Sequence, residues 1–335
     1  MPVALATPVS IVPSALSTSN LSVGIDVSKA SLDVAASVPA PGVPPKPCQF
    51  TNDRHGHALL IKWCTKHAPA RIVMEATGGY ERPVATALHK AGLPVIVINP
   101  SRSHAFARCA GIHAKTDAVD ARMLARFAEA IQPPEREFAS DRTMELSDLA
   151  VRRRQIVDDM TANKNRLKQA PSPLIKRSIG TILTANEKQL AAINAAMDKL
   201  IDAEPEFKRK EQLFLSVPGI GPTVARMLMA DLPELGNIGR SQIASLVGVA
   251  PFSCDSGNKN GQRCIRAGRG DVRTVLYMSA LVASRFNPVI KAFYESLLAR
   301  GKAKKLALIA CLRKLLIILN SMLRNGTPWS FTEIA

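Results

Sequence analysis

Leu21-Ser22-Val23-Gly24-Ile25-Asp26-Val27-Ser28-Lys29 reads as a β-strand that delivers one carboxylate, Asp26, from an otherwise apolar core edge. Ser31 to Ser37 follows as a second strand, Leu32 and Val34 alternating with polar neighbours, so the two form a hairpin. The run Pro39-Ala40-Pro41-Gly42-Val43-Pro44-Pro45-Lys46-Pro47 cannot pair inside a sheet and makes an exposed loop before a short strand near Gln49 to Thr51. A helix from about His55 to His67 leads into Arg71-Ile72-Val73-Met74-Glu75, a buried strand that ends on a carboxylate and a Gly78-Gly79 turn. Another helix near Pro83 to Ala91 precedes Pro94 to Pro100, an apolar run of the kind found in sheets covered on both faces. Three meander strands, then helix, strand, helix, strand, helix, define an α/β domain.

The last of these helices begins in Lys115-Thr116-Asp117-Ala118-Val119-Asp120-Ala121, where two acids one turn apart share a face. Val119, Met123 and Phe127 recur at the spacing of a buried stripe. A helix start explains such a pair, Asp117 as N-cap and Asp120 favoured by the positive end of the helix dipole. Their i+4 positions are Ala121 and Leu124, so the helix itself supplies neither acid with a cation there. Strand ends gather at one edge of an open α/β sheet, so Asp26, Glu75, Asp117 and Asp120 can converge although far apart in sequence. Converging carboxylates repel unless divalent cations sit between them, the arrangement that two-metal phosphoryl transfer uses.

The charge balance points to a polyanionic partner: 44 Lys and Arg against 27 Asp and Glu, a formal charge of +17. From Gly257 to Asn325 there are 14 Lys or Arg and only Asp271 and Glu295 against them, the pattern of a nucleic-acid surface. Six cysteines show no C-x-x-C pair and no zinc-finger spacing, which suits free thiols in a reducing cytosol. Leu306 to Leu323 is apolar, but Arg313 and Lys314 interrupt it, so an amphipathic helix is expected rather than a membrane span. Residues 1–20, rich in Ala, Ser, Pro and Val without a basic start, read as a disordered tail and not a secretory signal.

Asp141 to Gln169 reads as a long helix with a basic patch at Arg152, Arg153 and Arg154; Pro171 and Pro173 end it, and a second long helix covers about Ala185 to Asp202. Val217-Pro218-Gly219-Ile220-Gly221-Pro222 fits the turn of a helix-hairpin-helix unit, where Gly219 and Gly221 allow amide groups at a helix start to hold a phosphate. Such a turn also joins helices with no ligand. Pro251 to Asn258 is rich in turn formers, and on residues alone its Ser256 is structural. Lys259, Arg263, Arg266 and Arg269 follow, and then a helix over about Asp271 to Arg285.

The motifs G-I-D-V-S-K, M-E-A-T-G-G-Y, V-I-N-P and K-T-D-A-V-D-A-R-M-L-A, in this order and spacing, resemble the DEDD transposases of the insertion sequence 110 family, the bridge-RNA-guided recombinases. The resemblance runs from about Leu21 to the C-terminus. It implies an α/β plus all-α protein: a RuvC-like, RNase H type domain over residues 21–135, a helical coiled-coil linker over 140–210 that helps subunits associate, and a mostly helical transposase domain over 211–335. It implies that Asp26, Glu75, Asp117 and Asp120 bind Mg2+ and that Ser256 is the catalytic serine. A serine hydroxyl needs a base, a metal or a positive field to attack a phosphate. Arg263, Arg266 and Arg269 supply such a field, while no local histidine supplies a base. The implied partners are target and donor DNA, a structured guide RNA and further copies of the chain, as a dimer or tetramer, without a membrane. Guide pairing accounts for the lack of a motif for reading base edges. Two other readings fit the same residues: a metal-dependent RuvC-like Holliday-junction resolvase or nuclease in which Ser256 is only a turn, and an architectural nucleic-acid binder that cuts nothing.

Overall fold

A computed structural model describes residues 20–38, 42–112, 116–135, 138, 140–252, 261 and 263–330. The chain divides into two compact units, residues 1–138 and 139–335.

The first unit is built on β1 (Ser22–Val27), β2 (Ser31–Ser37), β3 (Cys48–Thr51), α1 (Arg54–His67), β4 (Arg71–Glu75), α2 (Glu81–Lys90), β5 (Val95–Ile98), α3 (Pro100–Cys109) and α4 (Asp117–Ile131). The sheet order is β3-β2-β1-β4-β5. The expected hairpin is there: β1 pairs antiparallel with β2, while β1–β4 and β4–β5 are parallel. Alternation along the strands gives each face its own core. Val23, Ile25, Ile72 and Met74 pack with Leu60 and Cys64 of α1 and Val84 and Leu88 of α2. Val73, Ile96 and Ile98 pack with Met123, Leu124, Phe127 and Ala128 of α4. Gly24 lies on that second face, where a Cβ would stand 2.2 Å from the Ala121 carbonyl oxygen and 2.2 Å from the Ala125 nitrogen. Only a glycine lets α4 come down onto the central strand. Helix α3 is a departure from the sequence reading. Pro100, which ends the strand run in that reading, occupies the first turn of a helix, with the Asn99 side chain accepting the Ser101 amide proton at 2.8 Å.

The second unit is helical: α5 (Asp141–Gln169), α6 (Pro173–Ala203), α7 (Pro205–Leu215), α8 (Pro222–Asp231), α9 (Arg240–Val247), β6 (Pro251–Phe252), β7 (Cys264–Ile265), α10 (Gly270–Phe286), α11 (Pro288–Ala299) and α12 (Lys304–Asn325). Helix α6 begins three turns before the expected Ala185, because Pro173 starts it at N1 behind the Ser172 cap. Helices α5 and α6 pair along their length, with Ile156, Met160 and Leu183 forming a small apolar seam. The base of this hairpin, Leu146, Ala150, Met197, Leu200 and Ile201, belongs to the same core as α8 to α12, so the stretch read as a linker and the segment after it share one interior. Helix α12 is long and apolar enough to cross a membrane, but Cys311, Leu312, Leu315, Leu316 and Leu319 lie buried in that core. Strands β6 and β7, not foreseen from sequence, pair Phe252 with Cys264 and so close the base of a hairpin.

Candidate active site and nucleic-acid interface

The strand register brings the acids together. Gly24 pairs with Val73 and Ile25 with Met74, so Asp26 and Glu75 come next on neighbouring parallel strands. Each lies two residues past a position that faces α4, and therefore on the α4 face itself. The first turn of α4 carries Asp117 and Asp120. Its N-cap is Thr116, whose hydroxyl accepts the Val119 amide proton at 3.3 Å, not Asp117 as a capping account of the sequence has it. Asp117 is thus not spent on capping the helix. Asp26 registers the whole arrangement. Burial pushes its carboxyl up to about 6, and the charges of Asp120, Asp117, Glu75 and Asp33 push in the same direction.

Asp33 is an addition to the acids expected from sequence. It pairs across the hairpin with Asp26, so it faces the same side, and it accepts two bonds from the Gln49 side-chain amide at 3.0 and 3.1 Å. The hairpin register is the signal that finds it. Glu81, a buried acid nearby, has another job: it accepts the Thr77 and Gly79 amide protons, each at 2.9 Å, and so fixes the turn that follows Glu75. Among the described residues, no three acids, histidines or cysteines already stand as a group able to enclose a metal ion. The donor set nevertheless suits a hard divalent cation, because it is all carboxylate and its mutual repulsion is what such a cation relieves.

In the second unit the expected cationic residues fall into two groups. Arg263 and Arg266 are exposed, the Arg266 guanidinium 4.8 Å from the centre of the Phe252 ring. The others are engaged within the unit. Arg152 donates to Gln155 and Gln189, and Arg153 to Asn194. Arg154 is ion-paired with Asp231 at 2.7 Å and with Asp271, and Arg269 grips Glu234 with two bonds of 2.6 Å. Arg154 and Arg269 are thus paired with acids, whereas Arg152 and Arg153 of the expected basic patch hold neutral amides. Ser256 and Lys259 lie outside the described residues.

The glycine turn between α7 and α8 forms. Gly219 has φ +106°, and a Cβ there would stand 2.9 Å from that of Ala283 on α10, so both conformation and packing require glycine. Gly221 is the N-cap of α8, and a Cβ added to it would meet nothing within 4 Å, so that helix start is open. Beside it, Met278 and Val282 of α10, with Phe286 one turn further on, form an exposed apolar stripe that the sequence analysis did not single out.

Comparison with known proteins agrees with this arrangement. A DEDD-type IS110 family model, described as a transposase, matches residues 23–170, and a second, described as a transposase of the IS116/IS110/IS902 family, matches residues 211–295. The chain is 28% identical over 320 residues to the pilin gene-inverting protein of Moraxella bovis, covering 92% of this chain and 97% of that protein. The Moraxella lacunata pilin gene-inverting protein matches to the same extent. Over 156 residues this chain is 28% identical to an uncharacterized 43.6 kDa protein of insertion element IS110 from Streptomyces coelicolor, 46% of this chain and 38% of that one. The fold and these likenesses define a DNA recombinase of the transposase class. The chain belongs to the IS110 family of transposases.

Proposed function

We propose that this transposase excises and inserts its mobile element by way of a phosphoserine, with Ser256 as nucleophile and Asp26, Glu75, Asp117 and Asp120 as holders of Mg2+. The observation that carries the acid half of this reading is the convergence of four carboxylates on the α4 face of β1 and β4. When bound there, the metal supplies Lewis-acid stabilisation of charge on a phosphoryl oxygen. In the serine step the Ser256 Oγ forms a bond to a DNA phosphorus as the bond to the deoxyribose oxygen breaks. The serine proton leaves, the departing deoxyribose oxygen gains one, and the phosphodiester energy is kept for rejoining. Arg263 and Arg266, exposed on either side of β7 after the serine segment, place positive charge near that phosphate. A structured guide RNA and assembly into a dimer or tetramer complete the reading; the +17 charge supports a polyanion, and the RNA rests on family resemblance. The coiled-coil hairpin of α5 and α6 is the stretch this reading assigns to subunit association.

The experiment is a search for the covalent intermediate. Wild-type protein with guide RNA, cognate DNA and Mg2+ should give a DNA adduct that survives denaturation. Ser256→Ala should bind both nucleic acids and form none, whereas Ser253→Ala should behave nearly as wild type. If Ser256→Ala cuts and rejoins DNA normally, the serine assignment fails and a metal-dependent nuclease becomes the reading. Mixing Ser256→Ala with Glu75→Gln protein shows whether one site draws on two subunits, since only a shared site recovers activity.

A further inference from the structure

Arg154 looks like a surface cation in sequence and is one of the most committed side chains in the fold. It sits on α5, within the helical hairpin, yet its guanidinium bridges Asp231 at the end of α8 and Asp271 in the first turn of α10. Asp231 is itself tied onward: its backbone carbonyl accepts from Arg269 at 2.9 Å, and the same Arg269 clamps Glu234. Arg269 closes the turn that leaves β7. Its amide donates to the Leu246 carbonyl at 2.9 Å, and Arg273 donates to the Ala267 carbonyl at 2.8 Å. Gly248 and Gly268 meet so closely that a Cβ on Gly268 would lie 2.3 Å from the Gly248 nitrogen. The exit of the β6–β7 hairpin is therefore held from three sides, and one of these runs through Arg154 to the helical hairpin.

The cost of this arrangement argues that it does more than add stability. The Arg154 Nε is buried without a hydrogen-bond partner, and an ion pair partly buried at Arg154 and Asp231 and exposed at Asp271 is at best a modest source of stability. What such a pair supplies is a fixed geometry, and a forked guanidinium fixes two carboxylates at once. We propose that Arg154 is a positioning residue: through Asp231 and Asp271 it sets the angle of the β6–β7 hairpin base, and with it Arg263 and Arg266, according to where α5 lies. The inference rests on the serine reading above, since these two strands flank the segment that contains Ser256. It makes the helical hairpin a reporter as well as a spacer: displacing α5 would shift Arg263 and Arg266.

The test measures the single-turnover rate of adduct formation at saturating DNA, with the amplitude giving the active fraction. Arg154→Gln should bind DNA as wild type but form adduct about 100-fold more slowly, the scale of a 1 Å misplacement. Arg154→Lys, which keeps the charge but loses the fork, should lose about tenfold with an unchanged amplitude, and it decides the matter if the glutamine variant does not fold. Arg154→Gln combined with Arg269→Gln should cost much less than the two single effects together, because both act through Asp231. A purely structural role predicts a smaller amplitude at the wild-type rate, and that result, or additive effects, overturns the proposal. Ser256→Ala measured alongside separates the two ideas: an inactive Ser256→Ala with full-rate Arg154 variants overturns positioning alone, whereas an active Ser256→Ala overturns the serine reading.

Discussion

Asp26→Asn is expected to abolish recombination and, at the same time, to make the metal-free protein melt at a higher temperature at pH 7.5. Both effects come from one carboxylate that is half-buried among like charges. The loss of activity should be about 1,000-fold or more, since a ligand that helps stabilise developing phosphoryl charge is worth several kcal/mol. The gain in stability has a definite pH signature. Asp26 titrates near 3.8 in the unfolded chain and at about 6 in the fold, so on raising the pH the unfolded chain sheds its proton first. The stability associated with this group is complete below the unfolded value and is lost as the pH climbs through about 6. Thermal melts of the metal-free wild type should therefore fall across that window, while those of Asp26→Asn stay flatter. Magnesium should restore the wild type above pH 6 and do little for the variant. A wild type whose melting is indifferent to both pH and Mg2+ would show that the acids do not form one electrostatic site.

The second large effect concerns a residue with no chemistry. Gly24→Ala should destabilise the first unit by about 3 kcal/mol or more, the upper range for overpacking, because the new methyl would meet backbone atoms of α4 that cannot rotate away. For a unit of this size that is a fall in melting temperature of about 10 °C. Any variant that remains folded must let α4 ride higher on the sheet, drawing Asp117 and Asp120 away from Asp26 and Glu75, so activity should fall even at temperatures where the fold survives. Gly221→Ala is the matched control. Its backbone is extended and a methyl there meets nothing within 4 Å, so melting should fall only by what a poorer N-cap costs, ~1 kcal/mol or less. Equal melting of Gly24→Ala and Gly221→Ala would refute the close seating of α4.

Much of the first unit was legible because its strands obey a period of two and its cores lie on opposite faces. With Asp26 and Glu75 at strand ends, convergence with α4 follows from the topology. The misread helix starts share a cause: proline carries two opposite meanings. Pro100 and Pro173 read as stops, and both are first-turn residues of helices behind Asn99 and Ser172 caps. The side chains whose partners could not be foreseen are those paired far off in sequence. Nothing near Arg154 points to Asp231, 77 residues away, and nothing near Arg269 points to Glu234, so a run of arginines looked like a phosphate-binding face. Asp33 is the reverse case, a site-facing acid hidden by its ordinary place in an alternating strand.

The burial of α12 bears on the order in which the protein becomes competent during synthesis. The first unit has its last strand by Ile98 and its covering helix by Ile131, so its sheet can close while the ribosome is still making the helical hairpin. The second core cannot close that way. Leu146 and Ala150 wait for Leu312, Leu315 and Leu316, which arrive more than 150 residues later. A nascent or prematurely terminated chain thus carries an assembled carboxylate cluster without the core that supports the β6–β7 hairpin. Chains truncated before α12 are thus expected to keep a folded first unit and to lose the core of the second.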